Sequence, residues 1–273
     1  SSDVINDNVF GLSPSFDIVG KIVVNEPHLN ENVPSGSAKT ISWTKQGTLG
    51  NVEISYFHDG AYEVIGLVDS NTFSSFSWNP VPAQIQNNSI VKVIQFTSKG
   101  TADEVLGLSP NFNIIGQFTM TEPPATLNSG AAYTVLWNNY SLQGEIPNAK
   151  LEFFDGTTWH NIDYKTTDTG IVSNSGSYGW TVPTDVRSVA CKFRVSDPNN
   201  ATATDATNDF EVRPLISVTA PVGTAKWVIG TQTGNNIAWS ITGPVPTVKI
   251  EYSKDNGSNY TYVISASVAG NSS

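Results

Sequence analysis

An all-β chain of tandem sandwiches, about seven strands each and joined end to end, follows from three features of the sequence. Helical periodicity is nearly absent: no long window carries apolar residues at i, i+3, i+4 and i+7. Short alternating segments rich in Val, Ile, Thr, Tyr and Phe dominate, broken by Gly, Pro, Asn and Asp at about 8–15 residue intervals. One segment recurs. Gly130–Trp137 reads G-A-A-Y-T-V-L-W, and related segments run from Gly36 to Trp43 and from Gly230 to Trp239. The three tryptophans stand 94 and 102 residues apart, the spacing of an array of small domains.

The elements of the complete repeat can be placed in order. Residues 117–214 read as strands at 117–121, 131–137, 148–154, 157–163, 176–182, 189–196 and 208–213. The third and fourth form a hairpin around Asp155-Gly156, a dipeptide that supplies positive φ. Asp59-Gly60 and Asn256-Gly257 take that place in the neighbouring repeats. The fifth strand ends on a tryptophan followed by proline, as Trp180 to Pro183 and as Trp78 to Pro82. Two tryptophans per repeat are expected to stack across the sandwich: Trp43 with Trp78, and Trp137 with Trp180. Trp239 is the core tryptophan of the last repeat.

Closing strands set the boundaries. Ser13-Pro14-Ser15-Phe16-Asp17-Ile18-Val19-Gly20 matches Ser109-Pro110-Asn111-Phe112-Asn113-Ile114-Ile115-Gly116, and Asn208–Val212 falls in the same place one repeat later. The expected division is residues 1–20 as the closing strand of a preceding repeat, 21–116 and 117–214 as two whole sandwiches, and 215–273 as the front half of another. The reading favours a window on a longer array over completion of the end fragments by strands of neighbouring molecules.

Composition narrows the function. Ser, Thr and Asn number 83 of the 273 residues, whereas charged residues are only 14%. This is the composition of a hydroxyl-decorated, exported surface. The net charge of −10 repels phosphates, which speaks against nucleic acid as a partner. No apolar run approaches the length of a membrane-spanning helix, so membrane insertion is not expected. Cys191 is the one cysteine, so no intrachain disulfide holds a domain together. Its alternation with Val189, Phe193 and Val195 places the thiol in a core, where it acts as a small hydrophobe.

A family pattern emerges between Thr219 and Trp239, T-A-P-V-G-T-A-K-W-V-I-G ending N-I-A-W. Val248-Lys249-Ile250-Glu251-Tyr252-Ser253-Lys254-Asp255-Asn256-Gly257 and Tyr260 to Ile264 continue it. The chain resembles the tandem immunoglobulin-like repeat of bacterial and archaeal surface proteins, related to the Ser-Thr-rich, GPI-anchored, Knh-like cell-wall repeat of yeast. That pattern runs roughly P-x-G-G-x-x-W-x-x-G-x-x-x-x-I-x-W, then V-x-I-x-Y-S-x-D-G-G-x-x-W, then G-x-Y-x-W-x-V-P. The middle repeat matches through Trp137, Asp155-Gly156, Trp159 and Gly176 to Pro183. The last repeat carries Tyr260 in place of the hairpin tryptophan, and the first carries Tyr62 there. The resemblance implies immunoglobulin-like sandwiches and an extracellular, non-catalytic role, and it carries over no catalytic residue.

The candidate chemistry is thin. Asp168-Thr169-Gly170 spells an aspartic-protease triplet, but that chemistry needs two carboxylates sharing a proton and there is no second copy of the triplet. His28, His58 and His160 lie at non-equivalent repeat positions without zinc-type spacing. Asp197, Asp205 and Asp209, with Asn199, Asn200 and Asn208, offer hard oxygen ligands of the kind calcium takes, and Asp3, Asp7 and Asn8 fall in the related upstream position. The plainer account is an Asx-rich turn. Asn-x-Ser/Thr sequons at Asn87, Asn139, Asn200, Asn256, Asn259 and Asn271 are candidate glycan attachment points. Tyr62, Trp159 and Tyr262 lie on the hairpin strand, and Trp159 is the candidate for stacking on a sugar ring. No cofactor is indicated.

These features favour a non-catalytic stalk, fibre or adhesin shaft at the cell surface. Its expected partners are copies of itself or neighbouring repeats of the same chain, with cell-surface glycans as a further class. The competing expectation is a carbohydrate-binding or spacer module of a secreted polysaccharide-active enzyme.

Overall fold

The structure is a computed structural model that describes residues 12–163, 168–230 and 236–270. Among these residues there is no α-helix, only strands and one 3-10 turn at Phe96–Ser98. The chain is all-β and is built of tandem immunoglobulin-like β-sandwiches. It divides into two compact units. The first comprises residues up to Val81 together with Gln86–Ile114; the second comprises Pro82–Ile85 and the residues from Ile115 onward.

In the first unit, β1 (Lys21–Glu26), β3 (Lys39–Gln46) and β6 (Ser75–Trp78) form one sheet in the order β1-β3-β6. β2 (Asn32–Pro34) lies beside β10 (Phe112–Ile115), which also pairs with β7 (Gln86–Ser89). β4 (Asn51–His58), β5 (Ala61–Asp69), β8 (Val91–Gln95) and β9 (Leu106–Leu108) run in the order β5-β4-β8-β9. The β4–β5 turn has φ of 48° at Asp59 and 84° at Gly60, the two left-handed residues that a tight hairpin requires. Alternation fills the core. Ile41 and Trp43 from β3 meet Ile54 from β4 and Val93 from β8, all buried.

The second unit repeats the plan. β11 (Gln117–Met120), β13 (Ala132–Tyr140) and β17 (Ser177–Thr181) make the three-stranded sheet. Facing it, β12 (Thr126–Asn128), β14 (Asn148–Phe154), β15 (Trp159–Asn161), β18 (Ser188–Asp197) and β20 (Phe210–Arg213) run in the order β12-β20-β18-β14-β15. β16 (Ile171–Ser173) adds to β14, and β19 (Asn200–Ala206) adds to β18. All seven expected strands are present, with ends shifted by a few residues. β12, β16 and β19 are additional. They are short or polar edge strands whose alternation carries little hydrophobic signal.

The tryptophans pack differently from the expected stack. Trp137 lies on β13 and Trp180 on β17, neighbours in the same sheet. Aromatic contact across the sandwich runs from Trp180 to Phe153, at a tilt of 49°, and edge-on to Phe193 on the facing sheet, with both centroids 5.0 Å away. Phe193 continues to Phe210 at 4.9 Å. Such pairs contribute about 0.5–1.5 kcal/mol each beyond area burial. In the first unit Trp43 and Trp78 likewise share one sheet, and Trp78 meets Tyr56 at 4.8 Å. Trp43, Trp78, Trp137 and Trp180 are buried; Trp239 is half-buried.

Val189 departs from its expected place beside Cys191. The β18–β20 register shifts between Ser188 and Cys191, and this bulge turns Val189 outward to 77% exposure. Cys191, Phe193 and Val195 stay buried.

Within the second unit, β21 (Leu215–Ala220) pairs with β22 (Ala238–Thr242), and β23 (Thr247–Tyr252) pairs with β24 (Tyr262–Ala269). Pro214 alone separates β20 from β21. Two glycines let the backbones meet at this joint. A Cβ on Gly243, where φ is 105°, would lie 2.9 Å from the Pro214 Cα. One on Gly130, where φ is 76°, would lie 2.8 Å from the Thr242 methyl.

Candidate interaction surfaces

The hairpin strand builds the same device three times. Antiparallel pairing sets Phe57 opposite Tyr62, Phe154 opposite Trp159, and Tyr252 opposite Tyr262. Each pair is in ring contact, at 5.2, 5.3 and 5.0 Å respectively. A cation lies over each hairpin aromatic: Lys92 Nζ 3.9 Å from Tyr62, Arg194 Cζ 4.1 Å from Trp159, and Lys254 Nζ 3.9 Å from Tyr262. Register thus gives the hairpin-tryptophan position of the last repeat to Tyr262. Tyr260 precedes the strand and is exposed.

In the middle repeat the cation is itself anchored. Arg194 donates through Nε and Nη2 to Glu152 Oε2 at 2.8 and 2.7 Å, and Lys150 approaches Glu152 Oε1 at 3.1 Å. Glu152 is buried, so its carboxylate depends on these donors. With one ring face under Arg194 and the ring against Phe154, Trp159 serves as a cover for the sheet.

The acidic positions of the candidate calcium loop do different jobs. Asp205 Oδ2 accepts the Met120 N–H at 2.7 Å and ties β19 to β11. Asp209 pairs with Lys192 at 3.1 Å. Asp197 Oδ1 accepts from Asn199 N at 2.8 Å in an Asx turn. Asn200 Oδ1 accepts from Thr202 Oγ1 at 2.6 Å, and Asn208 is held by Glu122. Asp3, Asp7 and Asn8 lie outside the described residues.

Among the described residues, one group of three side chains has metal-ligand atoms within 4.8 Å of one another: Glu26, His28 and Glu31. Lys39 occupies its centre, 2.7 Å from Glu26 Oε2 and 2.5 Å from Glu31 Oε1. Burial opposes it, but the Lys39 and His28 hydrogen bonds hold the Glu31 carboxyl below its ordinary range. The Lys39 ammonium already pairs with both carboxylates, so the group reads as an ion-pair brace that ties β3 to β1 and to the loop after it.

His160 Nε2 lies 2.8 Å from Asp155 Oδ2, and His58 Nε2 lies 2.8 Å from Glu63 Oε2. Both flank hairpin turns. The Asp168-Thr169-Gly170 triplet braces β14 and β15: the Leu151 N–H on β14 donates to Gly170 O at 2.7 Å, and Asn161 Nδ2 on β15 donates to Asp168 O at 2.8 Å. A side chain at Gly170 would strike Leu151 O at 2.7 Å. Burial pushes the Cys191 thiol up to about 11, far from a nucleophile's range. The sequon asparagines Asn87, Asn139, Asn256 and Asn259 are exposed and Asn200 is half-buried; Asn271 lies outside the described residues.

Sequence reasoning missed one apolar cleft. Between the β21–β22 and β23–β24 pairs lies an open cleft of about 610 Å³, lined by Ile216, Val218, Trp239, Val248, Ile250 and Ile264. The alternation that marks inward faces was its signal.

No protein-family model matches the chain, and no curated protein does. Solved structures of tandem domains resemble it at low identity, three of them as follows. Clostridium thermocellum CbhA fibronectin(III)-like modules are 13% identical, covering 70% of this chain and 91% of theirs at a TM-score of 0.22. The teleost fish polymeric Ig receptor ectodomain is 10% identical, covering 71% and 98% at 0.31. Tandem Ig repeats of Dlar are 14% identical, covering 71% and 96% at 0.24. At such scores the fold assignment rests on the strand order above. Among the described residues no helix is long and apolar enough to cross a membrane.

Proposed function

We propose that this chain is a non-catalytic structural repeat region of an extracellular surface or filament protein, a stalk, fibre or adhesin shaft. The observation that carries the reading is the joint at Pro214. One residue links two sheets, and Gly130 and Gly243 bring backbone and side chains of adjoining repeats into contact. A joint this short fixes the angle between repeats, which is what a shaft needs. The sandwiches themselves resist extension through interstrand hydrogen bonds. The acidic, hydroxyl-rich exterior suits exposure outside the cell, and exposed sequon asparagines suit glycan attachment.

The competing role as a sugar-binding module of a secreted polysaccharide-active enzyme depends on a free aromatic face at Trp159, and Arg194 lies over that ring. Pulling single molecules from both ends tests the structural role. The proposal expects each whole repeat to unfold as a separate, cooperative event. Smooth extension without discrete events would overturn it.

A further inference from the structure

We propose that Asn256-Gly257 is a self-modifying site, at which the Asn256 side-chain amide is lost as ammonia and the residue becomes isoaspartate or aspartate. Each repeat turns its hairpin on an Asx-Gly pair: Asp59-Gly60, Asp155-Gly156 and Asn256-Gly257. In the first and last both residues are left-handed, with φ of 48° and 84° at Asp59 and Gly60 and of 58° and 88° at Asn256 and Gly257. The three turns differ in what holds the Asx side chain. Asp155 Oδ1 accepts from Thr157 N, Thr157 Oγ1 and Thr158 N, and Oδ2 lies 2.8 Å from His160 Nε2. Burial opposes it, but these hydrogen bonds hold the Asp155 carboxyl well below its ordinary range, and an ionised carboxylate offers no leaving group. Asp59 is also an acid, 3.7 Å from His58 Nδ1. Asn256 alone of the three carries an amide, a thermolabile side chain whose leaving group is ammonia. It is exposed, as Asp59 is at its own hairpin tip, and among the described residues its side chain makes no hydrogen bond.

The reaction needs only the turn and water. The Gly257 main-chain nitrogen attacks Asn256 Cγ. The N–Cγ bond forms, the Cγ–Nδ2 bond breaks, and ammonia leaves with the proton that the nitrogen gives up. Water then opens the succinimide ring at one of its two carbonyls. Opening at the main-chain carbonyl gives isoaspartate, which routes the backbone through Cβ; opening at Cγ gives aspartate. Nothing is oxidised or reduced. Glycine leaves the attacking nitrogen unhindered: a Cβ on Gly257 would have only Tyr260 Oη near it, at 3.6 Å. One contact restrains the step. The Gly257 N–H donates to Ser253 Oγ at 2.9 Å, and Ser253 is itself fixed by donating to Asp255 Oδ1 at 2.5 Å. Conversion therefore waits on release of this clamp. Asn256-Gly257-Ser258 is also a sequon, so glycan attachment to Nδ2 and loss of Nδ2 compete for one atom.

Peptide mapping by mass spectrometry of the unglycosylated 273-residue chain, held at pH 8 and sampled over weeks, tests this. Asn256 is expected to convert before every other asparagine, with release of ammonia, while Asp59-Gly60 and Asp155-Gly156 stay unchanged. Ser253→Ala is expected to convert several-fold faster, with circular dichroism checking its fold. The wild-type chain in urea loses the clamp without a substitution and is expected to show the same several-fold rise. Asn256→Gln is expected to abolish the early release of ammonia. An Asn256 that is intact at the end, or that converts after another asparagine, overturns the inference. A rate in Ser253→Ala or in urea equal to that of the native wild type overturns the clamp.

Discussion

Trp137 donates its indole N–H to Asn174 Oδ1 at 2.7 Å, and Asn174 in turn donates to Ile146 O at 2.9 Å. The equivalent indole in the first unit, Trp43 Nε1, is buried without a hydrogen-bond partner. The two positions correspond closely: the Trp137 backbone N–H donates to Gly176 O, and the Trp43 backbone N–H donates to Ser74 O. Two residues before each acceptor stand Asn174 and Thr72. Asn174→Ala is therefore expected to destabilise the middle repeat by about 1–3 kcal/mol, the cost of an orphaned buried donor. Thr72→Asn is expected to stabilise the first unit by about 1 kcal/mol. Urea denaturation reads both, and unchanged midpoints would refute the pairing.

Arg194 couples a buried carboxylate to a surface ring. Arg194→Ala strips Glu152 of its two strongest donors and uncovers Trp159. Because Arg194 is about one-third exposed, the expected loss is about 2 kcal/mol, below the range for fully buried pairs. A glycan screen of the same protein checks the role of the ring. No saturable binding is expected; binding lost in Trp159→Ala would contradict the structural reading.

Cys191 gives the chain an alkaline limit. Burial raises its thiol from 9.0 to about 11, with Asp155 and Asp209 adding to the rise. The folded state therefore holds a proton that the unfolded state releases above pH 9. The stabilisation is full below pH 9 and is lost as pH climbs through 11. Tyr178 acts in the same direction, raised to about 12 by its hydrogen bond to Asp163. Denaturant midpoints are expected to fall between pH 9 and 11, with Cys191→Ala showing a shallower fall. The folded thiol is expected to resist a disulfide-exchange reagent at pH 8 and to react on unfolding.

Gly243 holds the joint. With φ at 105° and Pro214 in the way, Gly243→Ala forces a shift costing on the order of 1–3 kcal/mol. Spin-label distances between residues on β18 and β23 are expected to be narrow in the wild type and broad in the variant. Equal widths would show that the joint does not depend on the glycine.

Much of this was legible in the sequence because burial imposes a period of two and turns impose positive φ. The seven strands of the middle repeat, the Asp59-Gly60 turn and the buried Trp43, Trp78, Trp137 and Trp180 all follow from those rules. What local pattern does not encode is pairing. It could not tell that Trp180 meets Phe153 and Phe193 instead of Trp137, because that depends on which sheet each strand joins. It could not place the bulge that turns Val189 outward. It read β19 as an Asx-rich loop, since a polar edge strand has no apolar face to announce it. It offered Tyr260 for the hairpin aromatic, whereas register selects Tyr262.

Immunogold labelling of intact cells that make this protein tests the central claim most directly. Antibody raised against the chain is expected to decorate the outer surface, on filaments or a surface layer, without permeabilisation. Label found only inside permeabilised cells would contradict the account.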